Sequence, residues 1–202
     1  RPRSRVGLTR TSMRCAFKYR NRGETMVALA LKQIGLAFLI VVVCVVLHEV
    51  GHLLAAKALG YDAVIRMNSV SLAGGATSIR DQIIVDAAGP LVTVLLALIG
   101  LAMSARGAVV GPTIVFGALM MRVLAAIISL QMPNDEARIS ELSGLGTWTL
   151  PAIVVAALAV VMVMSARRAG VGWAWLFGSW IGASLGFVVV VFGEPYLPAI
   201  AV

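Results

Sequence analysis

Residues 34–47 form an unbroken apolar run, and the sequence around them stays apolar from about 28 to 59 apart from a few polar side chains. A helix of about 20 residues is long enough to cross the hydrocarbon core of a bilayer. Four later stretches have similar length and character, at about 83–104, 109–132, 148–166 and 173–192. Soluble domains carry about 45–50% apolar and about 25% charged residues. Here the hydrophobic share is 60% and the charged share 13%. A soluble fold of this size cannot hide so much apolar surface, whereas a bilayer accepts it, provided the backbone bonds itself in helices or a closed barrel. The chain therefore reads as an all-α polytopic membrane protein with about five transmembrane helices.

The connections differ. Residues 60–81 alternate apolar and polar side chains (Val64, Ile65, Met67, Val70, Leu72) and include Gly74-Gly75, which predicts a short β-hairpin or a re-entrant loop after the first helix. Residues 133–147 form the other polar stretch. Residues 1–25 hold eight Lys/Arg against Glu24 alone, while the rest of the chain is close to neutral. That basic arm is expected to be a disordered tail, able to meet anionic lipid. Nucleic acid is not an expected partner. Met26 follows the arm directly, so the arm also reads as an extension ahead of the natural start. Cys15 and Cys44 make no disulfide framework. Three parts follow: the arm at 1–25, a three-helix membrane core at 26–147, and two further helices with a short tail at 148–202. No stretch reads as an appended soluble domain, and no internal repeat is visible.

The chemistry is concentrated in His48-Glu49-Val50-Gly51-His52, inside the first membrane helix. Residues four apart share a helix face, so both imidazoles can reach one ion. Zn²⁺ is the natural occupant, one per chain, bound through nitrogen at about 2.0–2.1 Å. Glu49 is placed to take a proton from the attacking water and pass it to the leaving amine. His48 and His52 are the only histidines. An ionisable side chain at bilayer depth costs about 2.5–3.5 kcal/mol on insertion scales, and a metal site is a feature that offsets such a cost.

A catalytic zinc takes three protein ligands and keeps one position open. The third ligand must then be a carboxylate or thiolate: Asp86, Asp135, Glu136, Glu141 or Cys44. Alternating passes bring the end of the third helix, and with it Asp135 and Glu136, to the membrane face where His48 and His52 lie. Asp86, near the start of the second helix, is the next choice. Cys44 shares the histidine face but is more simply a packed apolar residue. Gly89-Pro90 reads equally well as a close-packing point or a kink. Arg122, in mid-helix, is expected to pair with a carboxylate such as Asp86 or to snorkel, with no chemical role.

Three segments resemble the site-2 protease family of intramembrane metalloproteases. They are Leu47-His48-Glu49-Val50-Gly51-His52-Leu53-Leu54-Ala55-Ala56, Ala87-Ala88-Gly89-Pro90-Leu91-Val92, and Asp135-Glu136-Ala137-Arg138-Ile139. The last is similar to the family's Asp-Gly-Gly-Arg-Ile segment, with Glu136 where that family has glycine. Asn134 stands near the place of a family asparagine. The resemblance covers about residues 40–140. It implies a zinc metalloendopeptidase with His48, His52 and Asp135 as ligands and Glu49 as the base. Glu136 and Asp86 remain alternative ligands. The implied partners are a membrane-anchored protein substrate, cut in or near a transmembrane segment, and the lipid bilayer. The implied location is a bacterial or archaeal cell membrane.

Two other readings fit the same residues: a catalytically silent zinc protein that binds partner helices, and a metal transporter. Clustering of the polar groups at one membrane face argues against a transport path. Orientation is balanced once the arm is set aside. Lys32, Arg106, Arg167 and Arg168 lie on one side, and Lys57, Arg66, Arg80 and Arg138 on the other. The resemblance favours a site facing the cytosol. The arm, under the positive-inside rule, favours the reverse.

Overall fold

The computed structural model describes residues 26–202. The basic arm at 1–25, with Cys15, lies outside the described residues. Six α-helices and a small sheet follow in order: α1 (Met26–Ala58), β1 (Ala63–Ile65), β2 (Val70–Leu72), α2 (Ile79–Ser104), α3 (Val110–Ile128), α4 (Asp135–Leu142), α5 (Thr149–Ala169) and α6 (Trp173–Gly193). A 3₁₀ turn (Glu194–Tyr196) and β3 (Ile200–Ala201) close the described chain. All of these helices except α4 are long and apolar enough to cross a membrane. Many of their large side chains face outward, including Leu54, Leu91, Leu95, Ile153, Phe177 and Phe192. On a soluble protein such a surface would aggregate. Against lipid tails it costs nothing.

With no hydrophobic drive between helices in lipid, small residues and polar contacts hold the bundle together. Helix α6 presents Gly178, Gly182 and Gly186 to α1. A Cβ at Gly182 would fall on the Ile34 carbonyl and come within 2.9 Å of the Ala37 Cβ. Gln33 crosslinks three helices near their shared end, donating to Thr113 Oγ1 (3.0 Å) and to Ser179 Oγ (2.8 Å). The main apolar core joins Val41 and Val45 of α1, Phe116 and Met121 of α3, and Ala183 and Val190 of α6.

Residues 60–78 form the expected hairpin, with Ala63 opposite Leu72 and Ile65 opposite Val70. At its tip, Met67 packs against that same apolar core. The sequence reading did not anticipate β3, which pairs antiparallel with β1 on the side away from β2. Ser69 Oγ also donates to Glu194 Oε1 (3.0 Å), tying the hairpin to the end of α6. Two boundaries shift. Helix α2 starts at Ile79 because Ser78 caps it, accepting from the Asp81 amide at 3.1 Å. Helix α3 stops at Ile128, and residues 135–142 form a separate short helix. There Asn134 Oδ1 accepts from the Asp135 amide (2.9 Å), and Ser129 Oγ accepts from the Asn134 amide (3.0 Å). Two polar side chains thus fix the bend that carries the chain out of α3 and into α4.

Candidate metal centre

His48 and His52 project from α1 toward α2 and α4, with ring centroids 4.7 Å apart and planes at 88°. His48 is 4% exposed, and His52, Glu49 and Asp135 are each 6% exposed. His48 sits about 15 Å before the end of α1 at 1.5 Å per residue. Asp135 enters from the start of α4. Its Oδ2 lies 3.1 Å from His48 Nε2 and 3.6 Å from His52 Nε2, and the two Nε2 atoms are 3.1 Å apart. Among the described residues, His48, His52 and Asp135 form a buried group that could hold a metal ion.

The hydrogen bonds behind the rings test whether a metal fits. His52 Nδ1 faces the Val85 carbonyl oxygen at 2.7 Å. A carbonyl only accepts, so Nδ1 carries a proton, and in the neutral imidazole Nε2 presents a lone pair. His48 Nδ1 faces Thr93 Oγ1 at 3.0 Å, and Thr93 spends its own hydroxyl proton on the Gly89 carbonyl at 3.2 Å. Thr93 therefore accepts from His48, whose Nε2 is a lone pair in the neutral ring too. Two imidazole lone pairs and a carboxylate oxygen then converge within 3.6 Å of one another. A divalent cation satisfies all three. Tetrahedral ligands on bonds of about 2.0–2.1 Å stand about 3.3 Å apart, and the three separations bracket that value. The donor set thus fits a divalent ion such as zinc, with second partners that fix each ring's tautomer.

Charge balance around Asp135 is supplied by two arginines. Arg122 Nη1 lies 3.3 Å from Asp135 Oδ2 and 3.1 Å from each Glu136 oxygen. Arg138 binds Asp86 through Nε (3.0 Å) and Nη2 (2.7 Å), and its Nη2 reaches Asp135 Oδ1 at 3.4 Å. Burial pushes the Asp135 carboxyl up, but its contacts with the two imidazoles and the Arg122 charge outweigh this and hold it well below the usual carboxylate range. Burial likewise works against the Arg138 charge. The Asp86 carboxylate offsets that and raises the guanidinium above its ordinary value. Glu49 makes no hydrogen bond to the described side chains, so its carboxylate is uncommitted beside the cluster.

The other sequence candidates are occupied elsewhere. Asp86 accepts from Arg138 and from Gln82 Nε2 (2.8 Å). Both Glu136 oxygens are held by Arg122. Glu141 accepts from Thr147 (2.7 Å), and Cys44 is buried in α1 outside the cluster. Arg122 pairs with carboxylates as expected, but these are Glu136 and Asp135, not Asp86. The start of α4 delivers Arg138 to Asp86 and Glu136 to Arg122, a sorting of partners that no local spacing reveals. Thr93 and the Val85 carbonyl were missed entirely. The one available signal was that Thr93 lies four residues beyond Gly89, on the same face of α2.

Family models, curated proteins and solved structures contain no match to this chain.

Proposed function

We propose that this chain is an intramembrane zinc metalloendopeptidase of the site-2 protease type, cutting membrane-anchored proteins in or near their transmembrane segments. The observation that carries the reading is the convergence of His48 and His52, on a helix long and apolar enough to span a bilayer, with Asp135 from the start of α4, and an uncommitted Glu49 beside them. Zinc in such a site acts as a Lewis acid toward carbonyl and water. Glu49 serves as the proton carrier, taking a proton from water and giving it to the leaving amine. His48 and His52 are held by Thr93 and Val85, and Asp135 by its arginines, so the donor set is preorganised. The low-dielectric surroundings strengthen every charge interaction within it.

The direct test is metal analysis of purified protein with alanine at Asp135, Glu136 or Asp86 in turn. Alanine at Asp135 should weaken zinc by more than the roughly 10–100-fold that loss of an outer partner costs. Alanine at Glu136 or Asp86 should leave the zinc in place. Zinc retained in full by the Asp135 variant, or no zinc in the unaltered protein, sinks the reading.

A substrate helix must unwind to expose its carbonyls, and the free edge of β2 offers a strand to receive it. Ala73 donates to the Asp62 carbonyl at 2.8 Å, so the Ala73 amide faces β1. By strand alternation the Leu72 amide faces the open edge. Leu72→Pro should slow cleavage at unchanged zinc content, because proline removes that outward donor. Ala73→Pro should instead loosen the hairpin itself. Normal cleavage by the Leu72 variant removes the strand-addition step.

A further inference from the structure

Resting on the metalloprotease reading, we infer that Arg122 is a positioning residue that holds Glu136 off the metal and so keeps a coordination position open. Glu136 directly follows the ligand Asp135 and is 5% exposed. One guanidinium nitrogen, Arg122 Nη1, bridges the two carboxylates, at 3.1 Å from each Glu136 oxygen and 3.3 Å from Asp135 Oδ2. Arg122 is itself 4% exposed, and its Nη2 lies 3.5 Å from His48 Nε2. The pair is therefore packed against the donor set and not at a lipid surface.

The driving force for Glu136 to move is plain. A divalent ion attracts any carboxylate within reach, and Glu136 directly follows the ligand Asp135. A buried carboxylate is costly unless paired, so Glu136 without a guanidinium partner would turn to the ion. Four protein ligands make a closed structural site, whereas three with an open position make a catalytic one. Arg122 supplies the competing positive charge that binds both Glu136 oxygens first. It also fixes α4 to α3, because the pair spans those two helices.

The test uses full-length protein loaded with Co²⁺ in place of zinc, with a simple hydroxamate as the probe of an open position. The unaltered protein should change its visible spectrum on adding hydroxamate. Arg122→Gln frees Glu136, so this variant should lose that response and bind zinc more tightly than the same variant that also carries Glu136→Gln. The double variant Arg122→Gln with Glu136→Gln removes the competing carboxylate, and the hydroxamate response should return. A responsive Arg122→Gln protein whose zinc affinity matches that of the double variant overturns the inference, as does a double variant that stays silent. Should Arg122→Gln not fold, Arg122→Lys takes its place. A lysine cannot reproduce the guanidinium's planar array of donors, so a weakened response is expected, and behaviour identical to the unaltered protein is contrary. An unaltered protein that binds cobalt and responds to hydroxamate, yet cleaves no membrane-anchored protein, removes the protease reading and leaves this inference standing. One that takes up no metal removes both.

Discussion

Glutamine in place of Glu49 is expected to lower proteolysis by about 10²–10⁴-fold, the usual contribution of a positioned general acid–base, while zinc content stays at the level of the unaltered protein. The two outcomes separate because Glu49 is not in the donor set, which comprises His48, His52 and Asp135. Glutamine matches its size and cannot carry the proton. Stability should not suffer, because Glu49 is 6% exposed and makes no hydrogen bond to the described side chains. Removing an unpaired buried charge is neutral or favourable. Cleavage of a membrane-anchored substrate in liposomes, alongside zinc analysis of the same preparation, measures both. Retained proteolysis would remove Glu49 from the mechanism. A parallel loss of zinc would make it a structural element of the site.

Gly89→Ala should empty the metal site with little effect on the fold. A Cβ built on Gly89 falls on His52 Nε2, and lies 2.5 Å from His48 Cε1 and 2.7 Å from His48 Nε2. The rings cannot retreat without breaking the bonds to Thr93 and Val85 that set their tautomers. Zinc affinity should therefore fall by at least the 10–100-fold typical of a disturbed outer shell. Alanine is the better helix former by about 1 kcal/mol, so destabilised secondary structure cannot account for the loss. Gly35→Ala, in α1, is the matched control, since an added Cβ there meets nothing within 4 Å. Zinc analysis and far-UV circular dichroism of both variants decide the matter. Unchanged zinc in the Gly89 variant would show that the rings are looser than the packing implies.

This glycine also shows where sequence reading stops. Gly89-Pro90 fits a kink or a packing point as well as it fits a metal site. Its particular reason, two imidazoles lying against the bare Cα, exists only once α1 and α2 are side by side. Arg122 is a similar case. A mid-membrane arginine announces that it needs a partner, yet the nearest carboxylates by topology were several. The bend after Ile128, set by Ser129 and Asn134, decided that Glu136 and not Asp86 would be the one. Helix α4 itself is short and polar, so its local pattern carried little weight. Strand β3 is shorter still, and its pairing depends wholly on where α6 ends.

What the amino-acid order determined unaided was everything governed by local periodicity and by transfer into lipid. The five spans follow from runs of apolar residues, the hairpin from alternation ahead of Gly74-Gly75, and the shared face of His48 and His52 from the helical repeat. What only the tertiary structure decided were the relations between groups far apart along the chain. Asp135 meets His48 across 87 positions, Thr93 across 45, and Val85 meets His52 across 33. Such contacts depend on how helices slide and rotate against one another. That is set by small-residue packing such as Gly182 on Ile34, by the bend between α3 and α4, and by the pairing of buried charges, none of which leaves a periodic trace in the sequence.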